Sequence, residues 1–78
     1  MTTAEALGWV ADVFEESPES LTPETPRAGI KMWDSLGMLT LIARLDAECG
    51  ILLSDDDLQE LRSVGDILEV LRRFGKLE

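Results

Sequence analysis

Asp34-Ser35-Leu36-Gly37-Met38-Leu39-Thr40-Leu41-Ile42-Ala43-Arg44-Leu45-Asp46-Ala47-Glu48-Cys49-Gly50 is the stretch whose reading decides the fold. Leu41, Leu45 and Cys49 recur every four residues, with Met38 and Ile42 beside them, which is one face of an α-helix. Asp34 is a residue type that caps orphan amides at a helix start, and Gly50 supplies a left-handed stop. The pattern predicts a helix over Ser35–Cys49, with an exposed serine at its positive end. A serine nucleophile needs a positioned base within hydrogen-bond reach. The chain has no histidine, and its lysines, Lys31 and Lys76, lie outside the best helical patterns. Ser35 is therefore suited to being acted upon rather than to acting, and a hydrolase built on it is set aside.

Working outward, Thr2 and Glu5 have capping-box spacing ahead of Leu7, Val10 and Phe14, with Trp9 and Val13 widening the stripe. This predicts a first helix from about Thr3 to Glu15. All three prolines, Pro18, Pro23 and Pro26, fall in the long connection from Glu16 to Trp33. Helix interiors reject proline because it lacks the amide donor, so Leu21, Ile30 and Trp33 are the expected anchors of a loop. After Gly50, Ile51 and Leu53 should point inward and Leu52 outward. Ser54 with Asp57 starts a short third helix ending near Arg62, with Leu58 and Leu61 inward. Ser63 with Asp66 starts a fourth, with Val64, Ile67, Leu68, Leu71 and Phe74 on its buried face and Gly75 as its stop. The expected fold is all-α, a three-to-four-helix bundle with a long loop between helices 1 and 2 and a short helix 3. One domain spans residues 1–78. Leu77 and Glu78, a tail of the kind a cloning scar leaves, are given no role.

Composition narrows the function. Sixteen acidic residues face seven basic ones, for a net charge of −9. Such a surface repels nucleic-acid phosphates and anionic lipid and is steered toward basic patches on proteins. One cysteine forbids an internal disulfide, and the lack of histidine leaves a zinc site short of ligands. No stretch approaches the roughly 20 apolar residues of a membrane span. These features suit a monomer in a reducing cytoplasm.

The loop, Trp33-Asp34-Ser35-Leu36, the helix to Glu48, the turn Gly50-Ile51-Leu52-Leu53-Ser54-Asp55 and Ser63-Val64-Gly65-Asp66 together resemble an acyl carrier protein over nearly the full chain. The resemblance implies that Ser35 receives 4′-phosphopantetheine from coenzyme A, attached by a phosphopantetheinyl transferase. Acyl or aminoacyl groups then ride as thioesters on the arm, passed between loading and transferring enzymes. It implies a carrier, not an enzyme. Asp34, beyond capping the helix, helps the transferase position the serine, and Leu36 contacts partners. The partner-binding set is expected to be Asp34, Leu36, Met38, Leu39, Asp46 and Glu48. Of these, Met38 also reads as a core methionine, and Cys49 reads as core alone.

Fatty-acid carriers typically present an acidic helix here. In this chain Gly37, Thr40 and Ala47 occupy the corresponding places and Arg44 adds a positive charge, leaving Asp34, Asp46 and Glu48. This points to a specialised pathway over ordinary fatty-acid synthesis, and Asp-Ser-Leu-Gly with Met38 and Leu39 leans toward aminoacyl cargo. The alternatives are an ordinary fatty-acid synthesis carrier, or an unmodified helical protein-interaction domain in which Ser35 is only a cap. Two further expectations concern stability. Replacing Gly37 should strengthen its helix by ~1 kcal/mol. Asp55, Asp56 and Asp57 fail the calcium-loop spacing and form no dedicated metal site, but their mutual repulsion invites weak divalent binding.

Overall fold

A computed structural model describes residues 1–78. It contains four α-helices: α1 (Thr3–Val13), α2 (Ser35–Cys49), α3 (Asp55–Gln59) and α4 (Val64–Arg73). The connection between α1 and α2 holds two short 3₁₀ turns, Pro18–Ser20 and Arg27–Gly29. The fold is all-α, with α1 packed on both α2 and α4 and one core of 18 buried apolar residues.

Local chemistry sets the helix starts. Thr2 with Glu5, Ser54 with Asp57 and Ser63 with Asp66 all form complete capping boxes, each satisfying orphan amides reciprocally. α2 ends at Cys49 with Gly50 as its left-handed stop, as expected, whereas α1 and α3 end earlier than the sequence reading. α1 stops at Val13 because Glu15 takes a left-handed φ of 57°, which lets the Glu16 amide donate to the Ala11 carbonyl at 2.8 Å. α3 stops at Gln59 instead of near Arg62, because the segment after it is drawn out to pair with the long loop. Pro26 and Ser63 form an isolated antiparallel bridge, and the Arg27 amide donates to the Arg62 carbonyl at 2.8 Å.

That pairing explains how a long proline-bearing loop stays in place. Leu21, Ile30 and Trp33 are buried as anchors, and the amides of Val64 and Gly65 donate to the carbonyls of Thr25 and Pro23. Ile51 is buried and Leu52 exposed, as the alternation requires. Phe74 corrects the reading of α4. It lies beyond the last helical residue, where the chain leaves the helical period, and is 46% exposed beside the Arg73 guanidinium. Leu77, given no role from sequence, is buried, and the Glu78 amide donates to the Met1 carbonyl. Cys49 is half-buried rather than fully in the core, and burial pushes its thiol pKa up.

Candidate functional site

The site is the start of α2. Asp34 has extended backbone, and its Oδ1 accepts from the Gly37 amide at 2.9 Å. The aspartate therefore supplies the capping oxygen, and the Ser35 hydroxyl is not consumed by the helix start. Ser35 is exposed. α2 is also the one α-helix with no acidic residue in its first turn; Glu5, the three aspartates of α3 and Asp66 fill that place in the others. The positive end of this 15-residue helix thus carries the Asp34 carboxylate alone, with no further acid in its first turn.

The approach to Ser35 is held rigidly. Trp33 is 4% exposed and stacks on Phe14 with ring centroids 5.0 Å apart. Its indole N–H donates to the Met38 sulfur at 2.8 Å. The Arg27 guanidinium lies 5.8 Å from the Trp33 ring centre, and its Nε donates to the Trp33 carbonyl at 3.2 Å. These contacts fix the chain one residue before Asp34. Met38 therefore sits half-buried as a support for Trp33, in keeping with its reading as a core methionine.

Gly37 also corrects its reading. A Cβ there would lie 1.8 Å from the Met32 carbonyl oxygen and 2.9 Å from its carbon. The loop backbone passes so closely that only glycine fits, and any gain in helix propensity is lost to the clash. The sequence signal was the glycine itself: in the first turn of a strong helix it costs stability and calls for a packing reason.

The remaining predicted residues divide between two faces of α2. Leu36 and Leu39 are 65% and 63% exposed on the outward face, which Ala43, Asp46 and Ala47 continue. Glu48 belongs to the other side. It accepts from Arg44 and from the Trp9 indole N–H, and both hydrogen bonds hold its carboxyl below the usual range. Arg44 also reaches Asp12 of α1 at 2.8 Å and lies 5.4 Å from the Trp9 ring centre. Its charge, expected to repel a basic partner, is spent within the α1–α2 seam, and its pKa is raised chiefly by Glu48. Only the Arg44–Glu48 pair, four residues apart on one helix, could be signalled by the sequence; the links to Asp12 and Trp9 span 32 and 39 residues. The aspartate run of α3 does not gather into a cation site. No three acidic or thiol groups come together where a metal could be held, and Asp57 instead caps α3 and lies 3.7 Å from Arg73.

Comparison with known proteins agrees with this geometry. The family model described as "Phosphopantetheine attachment site" matches residues 6–71. The meromycolate extension acyl carrier protein of Mycobacterium tuberculosis is 29% identical over 78 residues, covering 95% of this chain and 68% of that protein. The acyl carrier protein of Thermosynechococcus vestitus is 34% identical over 62 residues, covering 80% of this chain and 76% of its own. The solution NMR structure of a holo acyl carrier protein from Geobacter metallireducens matches with a TM-score of 0.74 at 33% identity, covering 91% of this chain and 83% of that one.

Proposed function

The chain belongs to the acyl carrier protein family, the group with a phosphopantetheine attachment site, and from that premise we propose that Ser35 is where the prosthetic group is attached. The family is one of carriers, not catalysts. It works with a covalently bound 4′-phosphopantetheine, a phosphopantetheinyl transferase and biosynthetic partner enzymes. The observation that carries the assignment to Ser35 is the open start of α2: an exposed serine whose helix is capped by its neighbour and carries no first-turn acid. A phosphodiester there adds about one negative charge at the positive end of the helix dipole, where the capping Asp34 is the acid already in place. The arm's thiol supplies the thioester chemistry when the group is bound. The protein's own contribution is to hold Ser35 outward on a start pinned by Trp33 and Asp34. Asp34, Leu36 and Leu39 are the residues we assign to contact with partners.

We also propose a specialised pathway, with aminoacyl cargo favoured. The support is the outward face of α2, where Leu36, Leu39, Ala43 and Ala47 stand with Asp46 as the acid among them. A basic patch on an ordinary fatty-acid synthesis enzyme finds little there to attract it. We place the carrier in the cytoplasm as a one-domain monomer, on its single thiol and its one core. No helix is long and apolar enough to cross a membrane.

Incubation with coenzyme A and a broad-specificity phosphopantetheinyl transferase tests the attachment. The expected result is a mass gain of one phosphopantetheine mapped to Ser35 and abolished in Ser35→Ala. The variant should lose ~1 kcal/mol of stability or less, because Asp34 provides the cap. Continued labelling of Ser35→Ala at another serine would overturn the assignment. Efficient loading of the holo protein by a malonyl transferase would return the pathway to ordinary fatty-acid synthesis.

A further inference from the structure

We propose that the cleft between the end of α1 and the start of α2 receives a basic side chain from the enzymes that work on Ser35, the phosphopantetheinyl transferase included. The inference rests on the carrier reading above. The cleft has a volume of about 290 Å³ and is bounded by Val13, Met32 and Leu36, by the carboxylates of Asp12 and Glu15, and by Gly37 and Thr40. Its walls suit the carbon stem of an arginine or lysine, and its acids suit the charged head.

No basic residue lines it. Asp12 is paired with Arg44, but Arg44 is shared with Glu48. Two carboxylates, Asp12 and Glu48, thus share one guanidinium, and with Glu15 lining the cleft beside Asp12 the region is left negative. Glu15 is exposed and takes part in no ion pair. The cleft is also continuous with the modification site. Leu36 forms part of it, adjoins Ser35 in the chain and is 65% exposed, so an enzyme reaching the Ser35 hydroxyl must cover it. The attraction for a basic partner therefore comes from α1. Gly37 and Thr40 of α2, where acids are missing, bound the cleft without adding charge to it. Charge of this kind governs encounter and choice of partner, and the apolar walls govern retention.

Two measurements on the full chain test this. In the transferase reaction with coenzyme A, Glu15→Lys should raise KM about tenfold with kcat unchanged. Glu69→Lys on α4, the same change of charge at a distant exposed site, should leave KM within about twofold. Equal effects of the two variants would overturn the inference, whereas a wild-type protein that is never modified would sink the carrier reading instead. Independently of any enzyme, N-acetyl-arginine methylamide should shift the amide resonances of Val13, Glu15, Met32, Gly37 and Thr40. Those shifts should vanish in Glu15→Lys. No shifts, or equal shifts with the uncharged citrulline analogue, would remove the site. Shifts that follow protein concentration alone would assign the cleft to a second copy of the chain and overturn the proposal.

Discussion

The starts of α2 and α4 are built from similar parts and left in opposite states. Each follows an extended cap residue, and each carries a glycine in its first turn where loop backbone passes close by. At α4 the start is closed. The Asp66 carboxylate accepts from the amides of Arg62 and Ser63, while the Ser63 hydroxyl accepts from the Asp66 amide. At α2 Asp34 satisfies the Gly37 amide, and no acid from the first turn returns to complete a box. Ser63 spends its hydroxyl on its helix; Ser35 does not. A serine at a helix start is thus structural or available according to whether its neighbours have already met the orphan amides.

The comparison breaks most readily at the two glycines. Gly37→Ala should destabilise the fold by about 2 kcal/mol, because the clash with the Met32 carbonyl outweighs the gain in helix propensity. At Gly65 a Cβ would meet the Pro23 oxygen at 2.8 Å, a milder approach, so Gly65→Ala should cost about 1 kcal/mol or less. Urea unfolding of both variants checks the order, and a larger loss at Gly65 would reverse it.

Next come the caps. Asp34→Ala and Ser63→Ala should each cost about 1 kcal/mol. Only Asp34→Ala should also slow coenzyme A-dependent modification, because the attachment proposed at Ser35 uses the start of α2 alone. Parallel denaturation and modification assays separate the two effects, and a slowed Ser63→Ala of unchanged fold would blur the distinction between open and closed starts.

The smallest effect is one of pH. Glu5 closes the start of α1, and the bond its carboxylate accepts from the Thr2 backbone amide, with the Thr2 side chain beside it, holds its pKa below the usual carboxylate value. A depressed carboxyl stabilises the fold above the unfolded pKa and loses that contribution as pH falls through the folded value. The melting temperature of the wild type should therefore fall more steeply below about pH 4.5 than that of Glu5→Gln. Parallel curves would show that this closed start contributes nothing measurable.

The helical elements and the candidate serine were readable from short-range sequence patterns alone. Capping boxes span three residues and helical stripes repeat within four, so α2, the starts of α1, α3 and α4, and the anchors Leu21, Ile30 and Trp33 were legible in local chemistry. Meetings between distant segments became visible in the folded chain. Gly37 is required because the Met32 carbonyl passes beneath it. Arg44, paired with Glu48 on its own helix, is also tied to α1 because Asp12 and Trp9 lie across the seam from it. Phe74 is exposed and Leu77 buried because the chain leaves the helical period after Arg73. Periodicity reports which way a side chain points from its own helix. It carries no information on what another part of the chain has already placed there.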